Sequence, residues 1–235
     1  MTEDDKQTKN LDDMMASSDT GARNPQGSVG RYSLLVIPLL WSLYQLWIAS
    51  PLPFELGIAV WNDTQTRAIH LAFAVLLAFI AYPTFTRSAR DRIPLQDWGL
   101  GLIGAGASAY IWLFYAQIAE RTGLPSTADV VIAAIGIVLL LEAARRSLGF
   151  PLMAVAGIFL LYVFFGSSPL LPDMIRWKGA SLEKAMSHMW LTTEGVFGVA
   201  LGVSSGFVFL FVLFGARLNQ AGAGNYFVQI VFSLL

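Results

Sequence analysis

Cysteine is absent from the 235 residues. That excludes disulfides, Cys-ligated zinc, iron–sulfur clusters and thiol nucleophiles, and it leaves the redox compartment open. Charge is scarce too. Asp, Glu, Lys and Arg make up 13% of the chain, where a soluble domain carries about 25%. A net charge of −1 supplies no basic field of the kind that holds nucleic acid, so nucleic acid is not an expected partner. Histidine occurs twice, as His70 and His188. Neither has a second histidine or a carboxylate at metal-ligand spacing, such as the i, i+4 pair of a zinc helix, and ordinary interfacial histidines are the expectation. No hydroxyl, carboxylate and imidazole fall together, so an enzyme reading finds no support.

What the chain has in quantity is apolar surface: 55% of residues are hydrophobic, with a mean hydropathy of +0.59. Several runs approach or exceed the roughly 18 residues that suggest a membrane span. The expected fold class is an all-α integral membrane protein, a polytopic helical bundle in a lipid bilayer. Six spans can be read: residues 33–50, 68–85, 98–118, 129–148, 150–166 and 196–217. Pro38 lies inside the first, which a bundle tolerates because neighbours satisfy the freed carbonyl. Residues 1–30 are polar and rich in acids and amides, with Gly and Pro near their end. They lack the basic start and immediate apolar core of a secretory signal, and read as a disordered leader.

Lys and Arg set the orientation. Arg23 and Arg31 precede the first span, Arg87, Arg90 and Arg92 follow the second, Arg145 and Arg146 end the fourth, and Arg217 ends the sixth. The alternate connections hold Arg67, Arg121, and then Arg176, Lys178 and Lys184, the last three diluted by Asp173, Glu183 and Glu194. By the positive-inside rule the N-terminus is cytoplasmic. The longest connection, Ser167 to Gly195, lies outside. Within it Leu182, Ala185, Met186, Met189 and Trp190 recur at helical spacing, which predicts an amphipathic helix lying in the membrane interface. The fourth span starts at Ser126 or Thr127 as cap, with Asp129 in the first turn, where a carboxylate suits the helix dipole.

Few polar groups inside the spans invite a role. Glu142 is an intramembrane carboxylate and so a functional candidate, but Arg145 and Arg146 follow at i+3 and i+4. A same-helix ion pair that fixes the depth and rotation of the helix is the preferred reading. In the sixth span Gly198, Gly202 and Gly206 form a bare stripe, with Gly195 before it and Ser205 beside it. The third span has a looser version in Gly101 and Ala105, then Gly104 and Ser108. Close helix packing is one reading of such stripes; a surface that slides against a moving element or lines a pathway is the other.

Three phrases carry a resemblance: RAIHLAFAVLLAFIAYP (67–83), LLLEAARRSLGFPL (139–152) and TTEGVFGVALGVSSGFVFLFVLFGARLNQAGAGNYF (192–227). From residue 31 onward the chain resembles the fused permease subunit of TRAP (tripartite ATP-independent periplasmic) transporters, in the branch that works with TAXI-type binding proteins. The resemblance implies a small four-helix scaffold domain over 31–148 and a linker span over 149–168. A periplasmic loop with the amphipathic helix would occupy 169–195, and the opening of a large transport domain 196–235. It implies a secondary active carrier in the cell inner membrane. Such a carrier imports small organic acids, carboxylates among them, with a sodium or proton gradient and a periplasmic solute-binding protein. The family's ion and substrate motifs lie in broken helices of the transport domain and have no counterpart here. No catalytic, cofactor-binding or metal-binding residue is therefore assigned, and the substrate-binding residues are unknown. Arg217 departs from the small or apolar residue expected at its position, but at the cytoplasmic end it can snorkel.

The final stretch, Tyr226 to Leu235, is apolar and uncapped, and as helix it would reach only about 15 Å. It reads as a truncated final helix. The chain is thus expected to be a non-transporting N-terminal fragment whose partner is its own missing C-terminal transport domain. The alternative is a complete short scaffold or assembly subunit that holds a separately encoded permease.

Overall fold

The computed structural model describes residues 21–85, 88, 90–169, 171–222 and 226. All regular structure among them is helical. The leader through residue 20 and nearly all of the expected final helix lie outside the described residues. Helix α1 is Ser28–Ala49, with Pro38 inside it. Leu35, Leu39, Leu43 and Leu46 stand exposed along one of its faces, which is the surface a helix offers to lipid. A short α2, Leu52–Leu56, ends on Gly57 at φ 65°. Helix α3, Asp63–Ala81, starts at a reciprocal cap in which Asn62 accepts from the Gln65 N–H and Gln65 accepts from the Asn62 N–H. This cap adds a polar turn ahead of the expected span. The helix stops at Tyr82, because Pro83 pushes the residue before it into extended backbone.

Helix α4, Leu95–Leu113, packs closely along α3. Its small residues allow the approach. A side-chain carbon at Gly101 would lie 3.2 Å from both Leu76 and Phe79, and one at Gly104 would lie 2.6 Å from Val75. The third span was expected to run unbroken through residue 118. Instead the helix breaks at Phe114 (φ −108°, ψ 21°), and α5, Tyr115–Glu120, continues as a separate short piece. Helix α6, Thr127–Leu148, begins at a Ser126–Asp129 capping box and ends at Gly149, whose φ of 91° lets the chain turn directly into α7, Phe150–Phe165. Pro151 sits in the first turn of α7, where its missing N–H costs nothing.

The connection after α7 folds back on that helix. Trp177 donates from its indole to the Tyr162 carbonyl (3.1 Å), and its N–H bonds the Gly166 carbonyl at 2.9 Å. Helix α8, Leu182–Met186, is capped by Ser181 and continues as a π-helical turn, Ser187–Leu191. Helix α9, Val199–Gln220, contains a second π-helical turn, Ser204–Val208. The core is drawn from Ala68, Val75 and Phe79 of α3, Ile111 of α4, Ala133 and Ile137 of α6, and Trp190 and Phe197. Among the described residues, α1, α3, α6 and α9 are long and apolar enough to cross a membrane, and α7 is a shorter apolar helix.

Two expectations need correction. Residues 21–30 are not part of a disordered leader. The N–H groups of Arg23, Asn24 and Gln26 bond the carbonyls of Ala81, Arg90 and Asp91, and the Arg23 side chain is buried. Nor does the apolar stripe of the amphipathic segment lie open to lipid. Ala185, Met186 and Trp190 are buried against the bundle, because Gly136 leaves a slot in α6 that the Trp190 indole fills. The apolar stripe was read correctly, but its partner is protein rather than lipid.

Candidate functional site

Three polar clusters sit within the bundle. The first lies where α3 and α6 end and α4 begins. Glu142 binds Arg145 and Arg146 of its own helix, each at 2.7 Å. The network extends beyond the helix. Arg146 reaches Asp97 at 2.8 Å, and Asp97 also pairs with Arg23. Arg23 donates further to the carbonyls of Phe79 and Ile80, both at 3.2 Å, which would otherwise be orphans at the end of α3. Arg145 donates to the Thr84 carbonyl at 2.9 Å, and Arg146 lies 4.5 Å over the Phe79 ring. The sequence pointed to Glu142 and its two arginines. Asp97, a lone acid in the first turn of α4, and Arg23, the one cation just before the packed segment, were missed because their partners are 49 and 74 residues away.

The second cluster is a seam between the N-terminal helices and α9. Arg67 donates to the carbonyls of Phe197 (3.0 Å) and Gly198 (3.3 Å), where the chain enters α9. Gln45, the buried polar residue of α1, donates to the Ser205 carbonyl inside the π-helical turn. Its amide also lies 2.9 Å from His70 Nδ1, to which the Trp41 indole N–H donates at 3.2 Å. Two donors converging on Nδ1 make that nitrogen the acceptor and place the ring proton on Nε2. His70 is therefore a buried, partnered histidine rather than an interfacial one.

The third cluster lies at the opposite end of the bundle, around Asp129. Its carboxylate accepts from Tyr110 (2.6 Å) and the Ser126 N–H (2.8 Å), and Arg121 stands 3.4 Å away. This carboxylate caps its own helix and ties α6 to α4.

The remaining singled-out residues fall apart spatially. His188 is half-exposed and pairs with Glu194 at 3.2 Å. Among the described residues no three metal-ligating side chains group together. The glycine stripe of α9 does not act as one surface. A carbon at Gly202 would meet the Arg67 guanidinium at 2.7 Å, whereas Gly206 faces open space. In α4, by contrast, Gly101 and Gly104 serve helix packing, and Ser108 returns its hydroxyl to the Gly104 carbonyl. Arg217 lies in the last turn of α9, where a cation suits the helix dipole. None of these groups presents a nucleophile with a base, and each buried charge among the described residues is matched to a partner of opposite sign.

Apolar helices joined by internal ion pairs and side chain-to-carbonyl bonds define a multi-pass helical membrane protein. Residues 135–235 match the family model described as Tripartite ATP-independent periplasmic transporter, DctM component. That is a family of transporter permeases and not of enzymes, and the match supports a permease component of a TRAP transporter. No curated protein and no solved structure matches the chain. The matched segment begins within α6 and takes in α7, α8 and α9.

Proposed function

We propose that the chain works in the cell inner membrane as part of a TRAP permease, with α1 to α6 as scaffold over residues 31–148. Helix α7 is the linker (149–168), the segment 169–195 is periplasmic, and residues 196–235 open the transport domain. Helices α1, α3, α4, α6, α7 and α9 are then the six spans, with the N-terminus cytoplasmic. The transporter imports small organic acids, carboxylates among them. It draws on a sodium or proton gradient and receives its substrate from a periplasmic solute-binding protein of the TAXI type. The observation that carries this reading is the family match across α7 to α9, together with the bonds by which Arg67 and Gln45 hold α9 to the N-terminal helices. The test is uptake in cells. Deleting the gene should abolish accumulation of a labelled carboxylate that depends on the binding protein and collapses with the ion gradient. Unchanged uptake across a panel of carboxylates would refute the proposal.

A further inference from the structure

The ion network leaves a cleft at its surface. A cavity of about 340 Å³ opens between Thr84, Phe85, Arg90, Arg145 and Arg146, with Gly21 at its edge. Arg90, Arg145 and Arg146 line it, and behind them Arg23, Arg145 and Arg146 surround two carboxylates, Asp97 and Glu142. Arg23, Arg145 and Arg146 are engaged with those acids. Arg90 is exposed and makes no ion pair or side-chain hydrogen bond among the described residues. Asp91 and Arg92 follow it with opposite charges. Among the described residues the cleft thus holds a surplus of permanent positive charge, in a side-chain type whose planar fork matches phosphate oxygens.

Its depth selects the source of the anion. Helix α6 has 22 residues, about 33 Å of helix against a hydrocarbon core of about 30 Å. The last turn, which carries Arg145 and Arg146, therefore stands at headgroup level. Phe85, which lines the cleft, is exposed at 67%, and Leu148 and Phe150, the chain neighbours of the lining Gly149, are exposed at 65% each. Phe85 also lies 5.6 Å from the Arg145 guanidinium. A basic floor with an apolar rim at this height fits a phosphodiester that carries acyl chains better than a free anion.

We propose that this cleft binds the headgroup of an anionic phospholipid, with Arg90, unpaired among the described residues, as the cation that meets the phosphate and Arg145 as the second. The inference does not depend on the transport reading. The test uses the purified chain in detergent, with dioleoyl-phosphatidylglycerol, dioleoyl-phosphatidylcholine or inorganic phosphate added. Thermal unfolding and native mass spectrometry are the readouts. Phosphatidylglycerol should be retained and should stabilise more than phosphatidylcholine. Arg90→Gln should weaken phosphatidylglycerol retention about five-fold, the effect of one interfacial cation, with no change in the lipid-free melting temperature. Arg176→Gln, beyond α7, should leave retention unchanged. Equal retention of the two lipids, unchanged retention in Arg90→Gln, or an equal loss in Arg176→Gln would overturn the proposal. Stabilisation by inorganic phosphate as strong as that by phosphatidylglycerol would overturn the lipid as its ligand.

Discussion

Replacing Gly136 by alanine tests the burial of the α8 segment directly. The added carbon would lie 2.3, 2.5 and 2.7 Å from three atoms of the Trp190 indole, against an ordinary carbon contact of about 3.5–4.0 Å. The ring must move by about 1 Å or more to clear it, and it has nowhere to go. Trp190 is fully buried, stands edge-on to Phe197 at 5.2 Å, and donates to the Ala107 carbonyl at 3.3 Å. Overpacking of this kind costs about 1–3 kcal/mol, and the closeness of three atoms places Gly136→Ala at about 2–3 kcal/mol on that scale. For a chain of this length that is a fall of roughly 4–12 °C in melting temperature, read by thermal unfolding in detergent. Trp190→Phe removes the conflicting atoms, so adding Gly136→Ala to it should cost no more than about 0.5 kcal/mol, a strong coupling between the two sites. If Gly136→Ala costs the same with and without the indole, Trp190 is not in the α6 slot and the packed path of residues 187–191 is wrong.

Other perturbations follow from the same structure. Asp97→Ala leaves Arg23 and Arg146, both nearly inaccessible, as facing like charges; the loss should be about 3–5 kcal/mol. Trypsin should then cut after Arg23, a site the native packing protects. Gln45→Leu frees the Ser205 carbonyl and one His70 contact, and should cost about 0.6–1.7 kcal/mol by thermal unfolding, the range measured for hydrogen bonds between membrane helices. Because the chain has no cysteine, single introduced thiols report sidedness without background. Ser88→Cys should react with an impermeant maleimide only from the cytoplasmic side and Asp173→Cys only from the periplasmic side, and the reverse pattern would invert the proposed topology.

Local signals were legible and long-range ones were not. The Ser126–Asp129 start of α6, the Glu142 pairs and the apolar stripe through Trp190 all rest on neighbours within one or two turns, where spacing alone decides who can touch. The break at Phe114 left no Pro or Gly to announce it. The insertion of Trp190 depends on Gly136, which as one glycine in an apolar run offers no hint of the ring it admits. The burial of Arg23 could not be read either. A polar leader rich in Gly and Pro resembles disorder until Asp97 and the orphan carbonyls of Phe79 and Ile80 are placed opposite it.

The seam with α9 explains how that helix, apolar for most of its length, is held without a polar side chain of its own that marks its partner. Its attachment points are main-chain carbonyls. Phe197 and Gly198 present theirs where the chain enters the helix, that of Gly198 also accepting from the Gly202 N–H, and the Ser205 carbonyl is presented from within the π-helical turn. A carbonyl freed within an apolar bundle needs a donor, and Arg67 and Gln45, on helices far back in the sequence, supply it. The acceptor side of this interface is thus encoded by backbone geometry, and only the donor side by residue type. Loss of the π turn would remove the acceptor while leaving every side chain in place. Deleting one residue from Ser204–Val208, which restores regular helical spacing, should therefore destabilise the seam at least as much as Gln45→Leu does, and adding Gln45→Leu to the deletion should cost little more.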